Sequence, residues 1–268
     1  MKIVTLTSDF GVQSQGVGIM EAMIASISPH IKVIHLMHGL PSFDILAAAR
    51  TLETVRYVPL GYHVCICDPG VGTSRKAIII KVNRGDYLIG PDNGVLIPAS
   101  RVLGGISSVY EITNENYMNL PVSPIFHGRD IFSPAAAHLA NGVDLKSFGA
   151  KLKKNHLVES PYDEADRIAE VITAKVIHIN KFGSVHLNIL HKDWDNWGIK
   201  SAQTVVISLP NKKDITVIVC DTFGEVAFGE NLILKDDYGR VEIAVNQGSF
   251  ANRYSINIGS IIKLTLSN

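Results

Sequence analysis

The sequence predicts an α/β domain with a mainly parallel sheet covered by helices, followed by a smaller antiparallel β domain of barrel or sandwich type. Three observations carry this. Strand and helix patterns alternate through roughly the first 155 residues, as in chains whose parallel strands are joined by crossover helices. A polar stretch, 151–166, then brings Pro161 and four acids between Glu159 and Asp166, which is a linker composition. From Ile168 onward the apolar period falls to two, the signature of half-buried strands.

Taken in order, Lys2–Thr7 is a short β-branched strand. Ile19, Ala22, Met23 and Ile27 then recur at helical spacing, and Pro29 stops that helix. Lys32–Leu36 is a second strand. Pro41-Ser42 opens a second helix tracked by Leu46, Ala49, Leu52 or Glu53, and Val55. Tyr62–Cys67 and Ala77–Val82 are the third and fourth strands. Ser133-Pro134 has the chemistry of an N-cap and first turn, and Asn141-Gly142 that of a stop, for a helix through the alanines at 135–137. In the second half, Val171–His178, Val185–Leu190, Thr204–Leu209, Thr216–Val219, Arg240–Val245 and Ser260–Leu266 read as strands. The predicted domains are 1–158 and 168–268, with a linker over 159–167.

Composition narrows the function. The 268 residues carry 25 Lys+Arg against 25 Asp+Glu, without the basic excess of a general nucleic-acid binder. No stretch approaches the roughly 20 apolar residues of a membrane helix, and Asp9 arrives too early for a signal peptide. Three cysteines make no disulfide framework. Cys65 and Cys67 share one face of an apolar run and read as buried thiols, since a metal would need two more ligands nearby. The expectation is a soluble, cytoplasmic protein.

Four segments carry candidate chemistry. Asp9, in Ser8-Asp9-Phe10-Gly11, follows the first strand directly, where open parallel sheets bind ligands. An acid there suits a ribose diol, although a turn aspartate has the same appearance. Asp-Phe-Gly at this position has no kinase loops upstream, and Gly16-Val17-Gly18 lacks the third glycine of a dinucleotide fingerprint. Asp68-Pro69-Gly70-Val71-Gly72-Thr73-Ser74-Arg75 leaves the third strand with glycines that permit close approach to a ligand. Its plainer reading is a tight turn closed by an Asp68–Arg75 ion pair. Gly90-Pro91-Asp92-Asn93-Gly94 is a turn by composition. Phe126-His127-Gly128-Arg129-Asp130 sets an imidazole between apolar and charged neighbours just before a helix.

Together these four motifs, with Thr222-Phe223-Gly224-Glu225-Val226 and Ala244-Val245-Asn246 further on, resemble the S-adenosylmethionine hydrolase (SAM hydroxide adenosyltransferase) family, relatives of fluorinase and chlorinase. The resemblance covers most of the chain. It implies an α/β domain and a β-barrel-like domain, a homotrimer with substrate held between neighbouring subunits, and no metal or other cofactor. It places the catalytic set on Asp68, Arg75 and His127 and the ribose acid on Asp9. It puts further substrate contacts on Phe10, Asn93, Asn180, Ser184, Phe223, Val245 and Asn246, with Phe223 stacking on adenine. Water attack at ribose C5′ would yield adenosine and methionine. Arg75 would stabilise hydroxide character, and Asp68 or His127 would orient the water and take its proton.

The resemblance leaves rivals. Halide-using relatives carry an insertion between the positions of Lys81 and Gly90 that this chain lacks, which favours water as nucleophile. The second domain of the family opens on Asp-x-Phe-Gly-Asn-x-x-Thr-Asn, whereas this chain has Asn180, Ser184 and Leu187 at three of those positions. The lost carboxylate removes a charge-assisted bond to substrate. That difference points toward a SAM- or adenosine-binding protein with little turnover, whereas the retained Asp68, Arg75 and His127 point toward an enzyme.

Overall fold

The computed structural model describes residues 2–210 and 213–266. The chain forms two compact units that divide between Pro161 and Tyr162.

The first unit contains β1 (Ile3–Ser8), α1 (Gln15–Ile27), β2 (Lys32–Met37), α2 (Ile45–Leu52), β3 (Tyr62–Ile66), β4 (Ala77–Val82), β5 (Tyr87–Pro91), α3 (Ile97–Val102), β6 (Ile106–Glu111), α4 (Ser133–Ala140) and β7 (Lys151–Leu152). The sheet order is β2-β1-β3-β5-β4-β6-β7. The four strands β2, β1, β3 and β5 pair in parallel. The other pairings are antiparallel. Five of the seven strands therefore point the same way. Helices α1 and α4 pack together over one face, where Met20, Ile24 and Ala135–Ala137 meet Val4, Leu6, Val64 and Ile79. Helices α2 and α3 pair on the other.

Three local readings are corrected. The buried stripe of α1 is Gly16, Met20 and Ile24, while Ile19 is exposed. That helix is apolar almost all round, so its periodicity locates the helix without choosing the inward face. Helix α2 starts at Ile45, with the Asp44 carboxylate accepting from the Ala47 N–H at 2.9 Å, so Pro41-Ser42 lies in the preceding loop. Ser133 is no N-cap: a π-helical turn, Gly128–Phe132, runs directly into α4 and leaves the Ser133 hydroxyl buried inside the helical run. In addition, Gly90 and Pro91 end strand β5, and only the residues after them turn.

The second unit contains β8 (Asp166–Ile168), β9 (Val171–Ile179), β10 (Val185–Leu190), α5 (His191–Asn196), β11 (Thr204–Ser208), β12 (Asp214–Val219), β13 (Asn231–Lys235), β14 (Arg240–Val245), α6 (Phe250–Tyr254) and β15 (Ile261–Leu266). Strand order β10-β14-β13-β12-β11-β15-β9 closes through β9–β10 into a seven-stranded barrel, with β8 alongside β9. The pairings are antiparallel except β12–β13. The barrel interior is filled by Ile172, Val176, Val185, Leu187, Val205, Ile207, Ile233, Ile243 and Ile262, each fully buried. Strand β8 begins inside the span read as linker and ends at Ile168, just past it, and β13 falls in a stretch with too little alternation to announce itself.

Candidate active site

Strand β1 has β2 on one side and β3 on the other, so the chain steps out from β1 to β2 and then crosses back past β1 to β3. The crevice at the carboxyl ends of such a strand pair is where open α/β sheets bind ligands. A pocket of about 240 Å³ opens there, lined by Asp9 and Phe10 after β1, Ile66 at the end of β3 with Asp68 and Val71 after it, Ser42 and Phe43 from the loop before α2, and Ile125–Gly128.

Asp68, Arg75 and His127 meet at this pocket. The Arg75 guanidinium donates to both carboxylate oxygens of Asp68, Nε to Oδ1 at 3.0 Å and Nη2 to Oδ2 at 2.5 Å. The same Nη2 lies 3.0 Å from His127 Nδ1. Both side chains of the ion pair are nearly buried, at 8% and 5% exposed for Arg75 and Asp68. A guanidinium cannot accept, so His127 Nδ1 must be the acceptor and the neutral ring carries its proton on Nε2. Burial, and then the Arg75 charge, holds the His127 pKa below the ordinary histidine value despite opposing pulls from Asp68 and Asp130. Arg75 itself does not line the pocket. It stands behind Asp68 and His127 with its guanidinium 5.4 Å from the Phe132 ring, and its buried Nη1 finds no protein acceptor among the described residues.

Two glycines bring these distant segments together. Gly72 sits at φ +75°, and a Cβ there would fall 2.3 Å from the Pro124 carbonyl oxygen. A Cβ on Gly128 would fall 2.9 Å from Met20 Sδ and 3.0 Å from Ile66 Cδ1. The glycine of the 68–75 loop thus serves an approach of backbone to backbone. On the His127 side, buried Asp130 accepts from Asn119 Nδ2 at 2.6 Å, from the Ser123 N–H at 2.9 Å and from Arg129, tying the loop over the π-helical turn. Burial raises the Asp130 pKa, but these donors outweigh it and hold the carboxyl below its usual range.

Asp9 faces the same pocket. Its Oδ2 accepts the Phe43 N–H at 2.8 Å and lies 3.6 Å from the Cys67 thiol. Phe43 adopts φ +65°, a strained conformation for a bulky residue that aims its N–H at the carboxylate. Burial, then Asp9, pushes the Cys67 thiol up to about 12, so it is a protonated donor. Phe10 stacks edge-on against Phe126, ring centres 5.9 Å apart. Asn93 lies outside the pocket lining: its Nδ2 donates to the Cys67 carbonyl at 2.8 Å and its Oδ1 accepts the Val95 N–H at 3.2 Å, pinning the chain just before Asp68.

The barrel residues gather at one end of their own unit. Asn180 Oδ1 accepts the N–H groups of Phe182 and Ser184, both at 3.0 Å, closing the β9–β10 turn. Ala251 N–H bonds the Gly183 carbonyl, which joins that turn to the start of α6. Asn246 Nδ2 donates to the Val226 carbonyl at 2.8 Å and its backbone pairs with Gly229 and Glu230, which joins the end of β14 to the Phe223 loop. Ser184, Val245 and Asn246 are buried, whereas Phe182, Phe223 and Phe228 are exposed at this rim.

The residues that sequence reasoning passed over are Ser42, Phe43 and Ile125. They sit in loops whose composition only signals a turn or a helix start, and Phe43 is marked solely by a backbone conformation that no periodicity reveals. Cys65 and Cys67 are buried free thiols. No helix among the described residues is long and apolar enough to cross a membrane.

The fold and the site define a two-domain protein with a nucleoside-type crevice at the switch point of its sheet, fronted by a buried acid–guanidinium–imidazole network. Residues 4–149 match the SAM hydroxide adenosyltransferase N-terminal domain and residues 174–263 the SAM hydroxide adenosyltransferase C-terminal domain; the chain belongs to this family. It is 34% identical to a protein of Salinispora tropica named (R)-S-adenosyl-L-methionine hydrolase, over 98% of this chain and 97% of that one. It is 21% identical to the fluorinase of Nocardia brasiliensis, over 98% of this chain and 96% of that one. A solved structure from Thermotoga maritima, titled an uncharacterized conserved protein, superposes with a TM-score of 0.88 at 31% identity, covering 98% of this chain and 99% of its own.

Proposed function

We propose that this protein is an enzyme that hydrolyses S-adenosyl-L-methionine to adenosine and L-methionine. The observation that carries the reading is the bonded set of Asp68, Arg75 and His127 beside a pocket that also presents Asp9.

The overall step converts the sulfonium and one water into adenosine, neutral thioether and a released proton. As the C5′–S bond breaks, positive charge leaves sulfur and builds on the attacking oxygen. Asp68 stabilises that charge and accepts the water hydrogen, an interaction that grows toward the transition state. His127 offers Nε2–H, since its Nδ1 is engaged by Arg75. Arg75 orients both partners from behind, and its buried Nη1–H is a further donor for a solvent oxygen. Asp9 receives the ribose diol. A carboxylate lining the pocket repels a halide ion, which favours water over halide as the nucleophile. No cofactor enters this scheme.

The test is incubation with S-adenosylmethionine and chromatography for adenosine, repeated with added chloride and with His127→Ala. Adenosine formation that the substitution abolishes is the expected result. A 5′-chloro product would overturn the choice of nucleophile, and tight binding without product would overturn the enzyme in favour of a binding protein.

The pH dependence follows from His127. Its pKa lies below 6.5, so the ring is neutral at pH 7 and activity is present there. As pH falls through that pKa, Nδ1 gains a proton that faces the Arg75 cation, and the network parts. The kcat/KM profile should therefore be flat near neutrality and carry an acid limb below pH 6.5. Measured in His127→Gln, that limb should vanish along with most of the rate.

The working form is proposed to be a homotrimer acting in the cytoplasm, with the barrel rim of one subunit completing the pocket of another. In support, the pocket edge exposes Phe43 and Ile125 at 71% and 80%, and the barrel rim exposes Phe223 at 40%. Stacking of a base on an aromatic ring contributes about 1–3 kcal/mol. Phe223→Ala should accordingly raise KM about tenfold with a smaller change in kcat, read by steady-state kinetics, and the intact protein should elute at three times its chain mass.

A further inference from the structure

From the turn that carries Asp9, a hydrogen-bonded chain runs to the surface. Ser8 Oγ lies 2.7 Å from His38 Nδ1, His38 Nε2 lies 2.8 Å from His35 Nδ1, and His35 Nε2 lies 3.2 Å from Glu21 Oε2. Ser8 is fully buried and His38 is 7% exposed, whereas Glu21 is half exposed. His38 also holds the turn through its backbone, accepting the Gly11 N–H at 2.7 Å. Asp9 and Phe10 are therefore bracketed by two bonds to one residue.

We propose that His38 is a positioning residue for the sugar-binding turn, gripping Ser8 with its ring and Gly11 with its carbonyl so that the Asp9 carboxylate is held toward the pocket. This rests on the reading of Asp9 as the partner of the ribose diol.

The proton order in the chain supports it. The Glu21 carboxylate only accepts, so His35 donates through Nε2. In the order in which His35 Nδ1 accepts from His38 Nε2, His38 Nδ1 accepts from the Ser8 hydroxyl. Burial, then the neighbouring His35, pushes the His38 pKa down to about 4, which keeps the ring neutral in this role. The Ser8 oxygen is left free to accept the Phe10 N–H, at 3.4 Å. Each bond thus fixes the next, and the last fixes the turn that carries Asp9. The sequence gives no sign of this, because His35 and His38 stand on a strand end 30 residues from Ser8.

The experiment compares adenosine with 2′,3′-dideoxyadenosine by titration calorimetry on the full-length protein. Unmodified protein should prefer adenosine. His38→Ala and Ser8→Ala should each weaken adenosine about tenfold, the loss expected for a disrupted buried hydrogen bond, and leave dideoxyadenosine little changed. His38→Asn, whose amide oxygen can accept from Ser8, should recover most of the preference. Ser8→Ala removes a single oxygen and carries the test where His38→Ala fails to fold. Undiminished preference for adenosine in the folded variants would overturn the role of His38 alone. No preference in the unmodified protein would overturn the reading of Asp9, and the proposal with it.

Discussion

Asp68→Asn should lower kcat for adenosine formation by about 10²–10⁴-fold, the usual contribution of a positioned proton acceptor. The amide is nearly isosteric, so the pocket keeps its shape and the loss reports charge. Two effects add. The amide offers one oxygen where the carboxylate offers two, so the bidentate grip of Arg75 is broken. The group facing the water also ceases to be an anion, and charge developing on the attacking oxygen is no longer compensated. Arg75 at 8% exposure then becomes a buried cation without its counterion, a change that costs about 3–5 kcal/mol. A protein of this size loses roughly 2–4 °C of thermal midpoint per kcal/mol, so a fall of about 6–20 °C should accompany the lost rate. Chromatographic assay at saturating substrate, paired with a thermal melt, checks both. A large drop in midpoint with kcat within tenfold of the unmodified protein would reduce Asp68 to a structural ion pair.

Spacing alone reads Asp68 and Arg75 as a tight turn as readily as a site; the resemblance of the motifs around Asp68, Arg75 and His127 to the hydrolase family is what implies the set that this substitution probes. Asp9 and Asp68 each follow a short β-branched run, and their place at the carboxyl edge of the sheet comes from that pattern alone. The alternation of the second half likewise marked six of the barrel strands. Less was legible where the chain is uniform or where a contact is long-range. Helix α1 is apolar on nearly every side, so its spacing could not choose Met20 and Ile24 over Ile19. Asn93 looks like a turn residue and is one, but its grip on the Cys67 carbonyl spans 26 residues and follows from strand order. The position of Arg75 behind the pocket, the strained Phe43 N–H on Asp9 and the acceptor state of His127 Nδ1 all depend on side chains meeting across loops. No local pattern encodes such meetings.

Gly72→Ala should cost activity on a similar scale without touching any charged group. At φ +75° an alanine pays about 1–2 kcal/mol for the left-handed backbone. The larger effect is steric, because the new methyl would fall 2.3 Å from the Pro124 carbonyl oxygen. Backbone on both sides of that contact leaves no flexible side chain to yield, so the two loops must separate by about an ångström. One loop carries Asp68 and Arg75 and the other carries His127, three residues beyond Pro124. The 3.0 Å contact from Arg75 Nη2 to His127 Nδ1 would stretch past hydrogen-bonding range. A misplacement of about 1 Å costs on the order of 10²-fold in rate, and kcat should fall accordingly. Asp9 and the barrel rim lie outside the disturbance, so the affinity for adenosine should change far less than kcat. Kinetics at saturating substrate and adenosine titration separate the two quantities. An alanine variant with unaltered kcat would show that the acid and the imidazole work independently, and that their meeting through Arg75 is not what drives the hydrolysis.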